Sequence, residues 1–199
     1  MTRIFMQTGP SAVGPDPCVS SVVPRLARAG EGILKGVRPY GSGMSAIDTV
    51  VYAAHLLFAG LWSGSVLFVA YAVLPAARDG EVSADLLGSL SGKLTTVSRT
   101  SALLLLLTGG HMAGTQYTAE SLFGTFPGYN VLAMVVLWFL LAGFVEVGTS
   151  RLSDGTGRDK VREPAAAARP FVLAASATAV LLLVNAGILF AYWRGVVPV

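Results

Sequence analysis

A helix that crosses a bilayer needs roughly 20 consecutive, mostly apolar residues to span a hydrocarbon core about 30 Å thick. The sequence offers four such runs: about Ile47 to Ala76, about Arg99 to Thr118, about Asn130 to Leu152 and about Pro170 to Trp193. The second is the most diluted, because Gly109, Gly110, His111 and Gly114 interrupt its outer half. Only 13% of the residues are charged, against about 25% in an ordinary soluble domain. Those charges gather in the short segments between the apolar runs. The expected architecture is therefore all-α and polytopic, a four-helix transmembrane bundle.

The formal net charge of +3 raises nucleic acid as a partner, but no basic stripe carries interleaved aromatics. The cations lie beside apolar runs instead, where they orient helices in the lipid bilayer. Cys18 is the single cysteine, which excludes both an intrachain disulfide and a cysteine-based metal site. Residues 1–43 are rich in Pro, Gly and Ser without a sustained period, and are expected to be disordered. Met44 opens a helix-ready stretch with Ser45 or Asp48 as a cap. Residues 44–199 are accordingly expected to form the membrane domain, with Met44 as the natural start. Arg78 and Lys93 precede the second run, and Arg151, Arg158, Lys160, Arg162 and Arg169 lie between the third and fourth. Cations in short loops stay cytoplasmic. Four crossings of the plasma membrane then leave both termini of the helical core outside. The extension would add Arg3, Arg25, Arg28, Lys35 and Arg38 to that outer side, which supports the later start.

Ionisable groups inside a bilayer are costly and therefore informative. His55, His111 and Glu146 fall in this class, and Asn185 joins them as a buried polar amide. At 1.5 Å per residue, His55 and His111 each sit roughly 10 Å below the outer boundary, on consecutive antiparallel helices. Asn185 lies near that level and reads as an interhelical hydrogen-bonder. Glu146 is near the cytoplasmic end of the third run, where Arg99 or Arg151 offers an ion pair. Gly60 with Gly64, and Gly110 with Gly114, have the spacing that lets helices approach closely. Trp193 with Tyr192, and Tyr117, Phe123, Phe126 and Tyr129, suit an outer aromatic belt.

Three readings compete for the histidine pair. Each imidazole hydrogen-bonds a neighbouring helix; or the pair binds or passes copper, helped by Met112; or both ligate a haem iron from opposite sides. Spacing does not separate the last two. No nucleophile constellation, carboxylate pair or phosphate loop is present, which disfavours hydrolase and nucleotide chemistry.

The first run, His55-Leu-Leu-Phe-Ala-Gly60-Leu-Trp62-Ser-Gly64 and on to Leu74-Pro75, resembles the opening helix of the copper resistance protein D (CopD) family. The cationic approach to the second run, Gly92-Lys-Leu-Thr-Thr-Val-Ser-Arg99, is similar to that of small CopD-type membrane proteins. The resemblance covers about residues 44 to 194, with its specific motif confined to the first helix. It implies an inner-membrane protein of copper uptake or tolerance, with His55 carried over by motif. A homodimer, or a partner membrane or extracytoplasmic copper protein, would be its company. The related HemJ-type protoporphyrinogen oxidases share the histidine-bearing first helix and bind haem b. They carry a functional lysine in the third helix, which this sequence lacks. The sequence-based expectation is thus copper transport or homeostasis at His55, His111 and Met112. A haem b electron carrier or redox protein, and a cofactor-free accessory subunit, stand as alternatives.

Overall fold

Among the described residues, three segments form helices both long and apolar enough to cross a membrane: Ala46–Asp79, Phe126–Gly155 and Arg162–Trp193. The computed structural model describes residues 45–156 and 160–196. The expected disordered extension 1–43, the expected start at Met44, and Arg158 lie outside the described residues. From Ser45 onward the chain is one compact unit, and it is a multi-pass helical membrane protein.

The first span begins with α1, Ala46–Phe68. Ser45 caps it, accepting from the Asp48 backbone N–H at 3.1 Å, while the Asp48 carboxylate reaches back to the Ser45 N–H. This reciprocal box satisfies two of the donors that a helix start leaves bare. A π-helical turn follows at Val69–Val73, and α2, Leu74–Asp79, completes the span. Pro75 has no N–H to give the carbonyl one turn back, and the helix widens ahead of it. The Leu74 N–H accordingly bonds Val69 O. Gly80 ends the span in the left-handed region at φ 81°, where a side chain would be strained.

The remaining helices are α3 (Ala84–Gln116), the short α4 (Ala119–Gly124), α5 (Phe126–Thr156) and α6 (Arg162–Trp193). With the first span counted as one rod, the described residues form five helices. The expected second transmembrane run lies in α3, and α3 is not one of the membrane-spanning segments. The four-helix transmembrane bundle expected from sequence is thereby corrected to three spans with α3 packed alongside. The reason is compositional: Lys93, Arg99, His111 and a series of Ser, Thr and Gly leave only Leu103–Leu107 as an uninterrupted leucine run. The expected even number of crossings goes with it.

Three serines of α3 lie on its buried face. Its buried positions are Leu87, Ser91, Leu94, Ser98, Ser101 and Leu105, spaced alternately by four and three residues, the pattern of a knobs-into-holes seam. Leucines 103, 106 and 107 point outward instead. Ser91, Ser98 and Ser101 thus face the other helices, while the leucine run faces outside. Trp62 of α1 is 1% exposed, and its Nε1–H donates to Ser98 Oγ at 2.8 Å. On the other flank, Trp138 Nε1 of α5 donates to Ala102 O at 3.2 Å. Ser101 Oγ, fully buried, has no partner among the described residues.

The most extensive interface joins α5 to α6. Small side chains make it close: Ala165, Ala168, Ala175 and Ala179 of α6 are all buried. A Cβ on Gly148 of α5 would stand 3.2 Å from Val172 Cγ2. By contrast, Gly60, Gly64, Gly110 and Gly114 meet nothing within 4 Å. These glycines face outward, so the close approaches expected there are absent from the chain's own packing. Val136, Phe139 and Leu181 are among the large apolar side chains left on the outside, as lipid contact requires.

Candidate functional site

The two ends of the domain differ in chemistry. At one end Arg162 Nη2 donates to Asp79 O at 2.9 Å, tying the turn after α2 to the start of α6. Arg151, Asp154, Lys160 and Glu163 line a depression beside it. Both cation-bearing connections thus meet at this end. Lys160 bonds Glu163 at 2.7 Å, and that carboxylate raises the ammonium above its ordinary value. At the other end the Phe126 and Tyr192 rings lie 5.6 Å apart, with Trp193 5.8 Å beyond Tyr192. Asp48, His111 and the capping box of α4 lie at this end too.

The histidines occupy the seam between α1 and α3, toward the aromatic end. His55 is half-buried, and its Nδ1 lies 2.8 Å from Thr108 Oγ1. Gly109 makes room for the ring: a Cβ there would stand 3.1 Å from His55 Cε1. His111 is more exposed and places Nε2 3.2 Å from Asp48 Oδ1. Asp48 and His55 are seven residues apart, and Thr108 and His111 three, so each pair lies along one face of its helix. The structure brings both histidines to one seam and gives each its own partner on the opposite helix. Met112 is half-buried next to His111.

Two of the groups that hold the seam were not singled out from sequence. Asp48 was legible only as a cap, although it serves two bonds. Thr108 was missed because the depth estimate set His111 level with His55, which leaves Thr108 about one helical turn deeper. Glu146 pairs with Arg99, one of its two expected partners, through both guanidinium contacts. The Arg99 and Glu146 side chains are 68% and 52% exposed, and the carboxylate raises the pKa of the Arg99 guanidinium above its ordinary value. Asn185 Nδ2 donates to Asn130 O at 2.9 Å, an interhelical bond between α6 and α5 and separate from the histidine seam.

Among the described residues, no three His, Cys, Asp or Glu side chains converge as a metal site. The donors at the seam are two imidazoles, with Met112 following His111 in sequence. Asp48 can only accept, so a neutral His111 holds its proton on Nε2 and keeps Nδ1 as a lone pair. His55 Nε2 has no hydrogen-bond partner among the described residues. Each ring thus retains a nitrogen able to ligate. The sequence matches no family model, no curated protein and no solved structure.

Proposed function

We propose that the chain is a CopD-like membrane protein that handles copper at the α1–α3 seam, with His55, His111 and Met112 as its donors. One observation carries the reading. The only two histidines of the chain lie on the same helix seam, each oriented by an oxygen of the opposite helix. Imidazole nitrogen with a thioether is a donor set suited to copper, and Cu(I) accepts low coordination numbers. Bound copper would be held and exchanged there, and the chain's own task is to orient the rings.

A haem between the same histidines finds less support. Axial ligation from opposite sides needs a flat gap between the two rings. The His55 ring instead lies against Gly109, two residues from His111 on the same helix.

The test is the visible spectrum and metal content of the protein purified from its membrane. About one copper per chain or per pair of chains is expected, falling at least tenfold in His55→Ala and His111→Ala. A Soret band lost in the same variants would overturn the copper reading in favour of haem b. The absence of both signals would leave the accessory-subunit reading.

The same proposal places the domain in the plasma membrane with its cationic end in the cytoplasm. In a Cys18→Ser background, an impermeant thiol reagent applied to whole cells should label Glu120→Cys and spare Asp154→Cys. The opposite pattern would reverse the orientation.

A further inference from the structure

We propose that Thr108 is a positioning residue for His55, fixing the imidazole in the tautomer protonated at Nδ1 and leaving Nε2 as its ligating nitrogen. Its purpose rests on the copper reading above, whereas its test does not.

The Thr108 hydroxyl has a single proton. Oγ1 lies 2.6 Å from Leu104 O and 3.4 Å from Leu105 O, and a carbonyl can only accept. The proton is therefore given to the backbone of α3, the usual back-bond of a helical threonine. What Oγ1 turns toward His55 Nδ1, 2.8 Å away, is a lone pair. Nδ1 must then be the donor, and a neutral ring with one proton is bare at Nε2.

Gly109 fixes which edge of the ring meets α3. Its missing side chain faces His55 Cε1, the atom bonded to both nitrogens, while Nδ1 engages Thr108 one residue away. A larger residue at 109 would push that edge off the seam and break the bond. The neighbouring pair uses the same device in mirror form. Asp48 of α1 accepts from His111 Nε2 of α3 and leaves Nδ1 bare. Each helix thus supplies one histidine and the oxygen that orients the other helix's histidine. A ligating imidazole whose second nitrogen donates to a fixed oxygen is the arrangement that sets ring orientation at metal centres.

The test uses the full chain, labelled with nitrogen-15 at histidine and held metal-free in detergent micelles. The ring-nitrogen spectrum of His55 should show the proton on Nδ1. Thr108→Val keeps the shape but removes the acceptor, and the proton should redistribute toward Nε2; Thr108→Ser should restore the original pattern. Cu(I) titrated against a chromophoric chelator should bind about 10- to 100-fold more weakly to Thr108→Val, with Thr108→Ser close to the wild type. A wild-type His55 protonated on Nε2 would overturn the proposal, as would a tautomer unmoved by Thr108→Val. Should Thr108→Val fail to fold, the wild-type spectrum still decides the matter. Cu(I) binding to none of the proteins, with the tautomers as expected, would sink the copper reading and sustain the positioning role.

Discussion

Trp62→Ala is expected to lower the free energy of unfolding by about 3–5 kcal/mol, the largest effect of any single truncation in the domain. Trp62 heads the fully buried side chains by volume, and it joins α1 to α3 through Ser98. In lipid little is gained by hiding apolar surface from the surroundings, because acyl chains are as apolar as a leucine. The loss therefore comes from dispersion contacts and the void left behind, with a smaller part from the stranded hydrogen bond. Two companion variants separate these parts. Trp62→Phe keeps most of the volume and should cost about 0.5–1.5 kcal/mol beyond its size change, the net worth of one hydrogen bond. Ser101→Ala removes a buried hydroxyl that has no partner, and should be neutral or stabilising. Unfolding in mixed micelles by a denaturing detergent reads all three. A Trp62→Ala protein within 1 kcal/mol of the wild type, on the scale expected of ordinary surface changes, would show that α1 and α3 are held elsewhere.

Gly128→Ala is the second large effect, expected at about 1–3 kcal/mol for forcing an atom into filled space. Gly128 lies in the first turn of α5, where its N–H faces Thr125 Oγ1 at 3.3 Å. A Cβ there would overlap the carbonyl oxygens of Leu122 and Ser121 at the end of α4. These are backbone atoms, so no rotamer change relieves the overlap. The corner between α4 and α5 would have to open. Opening it also shifts Asn130, whose carbonyl anchors Asn185 of α6. Gly124→Ala, four residues away with open space around it, should stay within about 0.5 kcal/mol. Hydrogen exchange across residues 119–132 would locate the damage, and unchanged protection in Gly128→Ala would refute it.

The contrast between these positions marks where the sequence was legible. Nothing local in the sequence distinguishes Trp62 and Trp138, each bonded across a helix seam, from a lipid-facing tryptophan. The small-residue pairs misled for the same reason. Spacing places Gly60 with Gly64 on one face of a helix, but it does not say which face another helix covers. Burial does, and it selects Gly109 and Gly148.

What the sequence determined by itself was the class of fold and the short list of polar groups that matter. Long apolar runs with few charges admit helices in a bilayer and little else, because backbone groups in hydrocarbon must be satisfied locally. The cost of polar side chains there singled out His55, His111, Glu146 and Asn185 in advance. The tertiary structure decided the partner of each group. The depth of two histidines follows from the helical rise, whereas their partners depend on how α1 and α3 are rotated about their own axes. That rotation is set by packing along the whole seam, from Trp62 and Ser98 outward, and it turns His55 to Thr108 and His111 to Asp48.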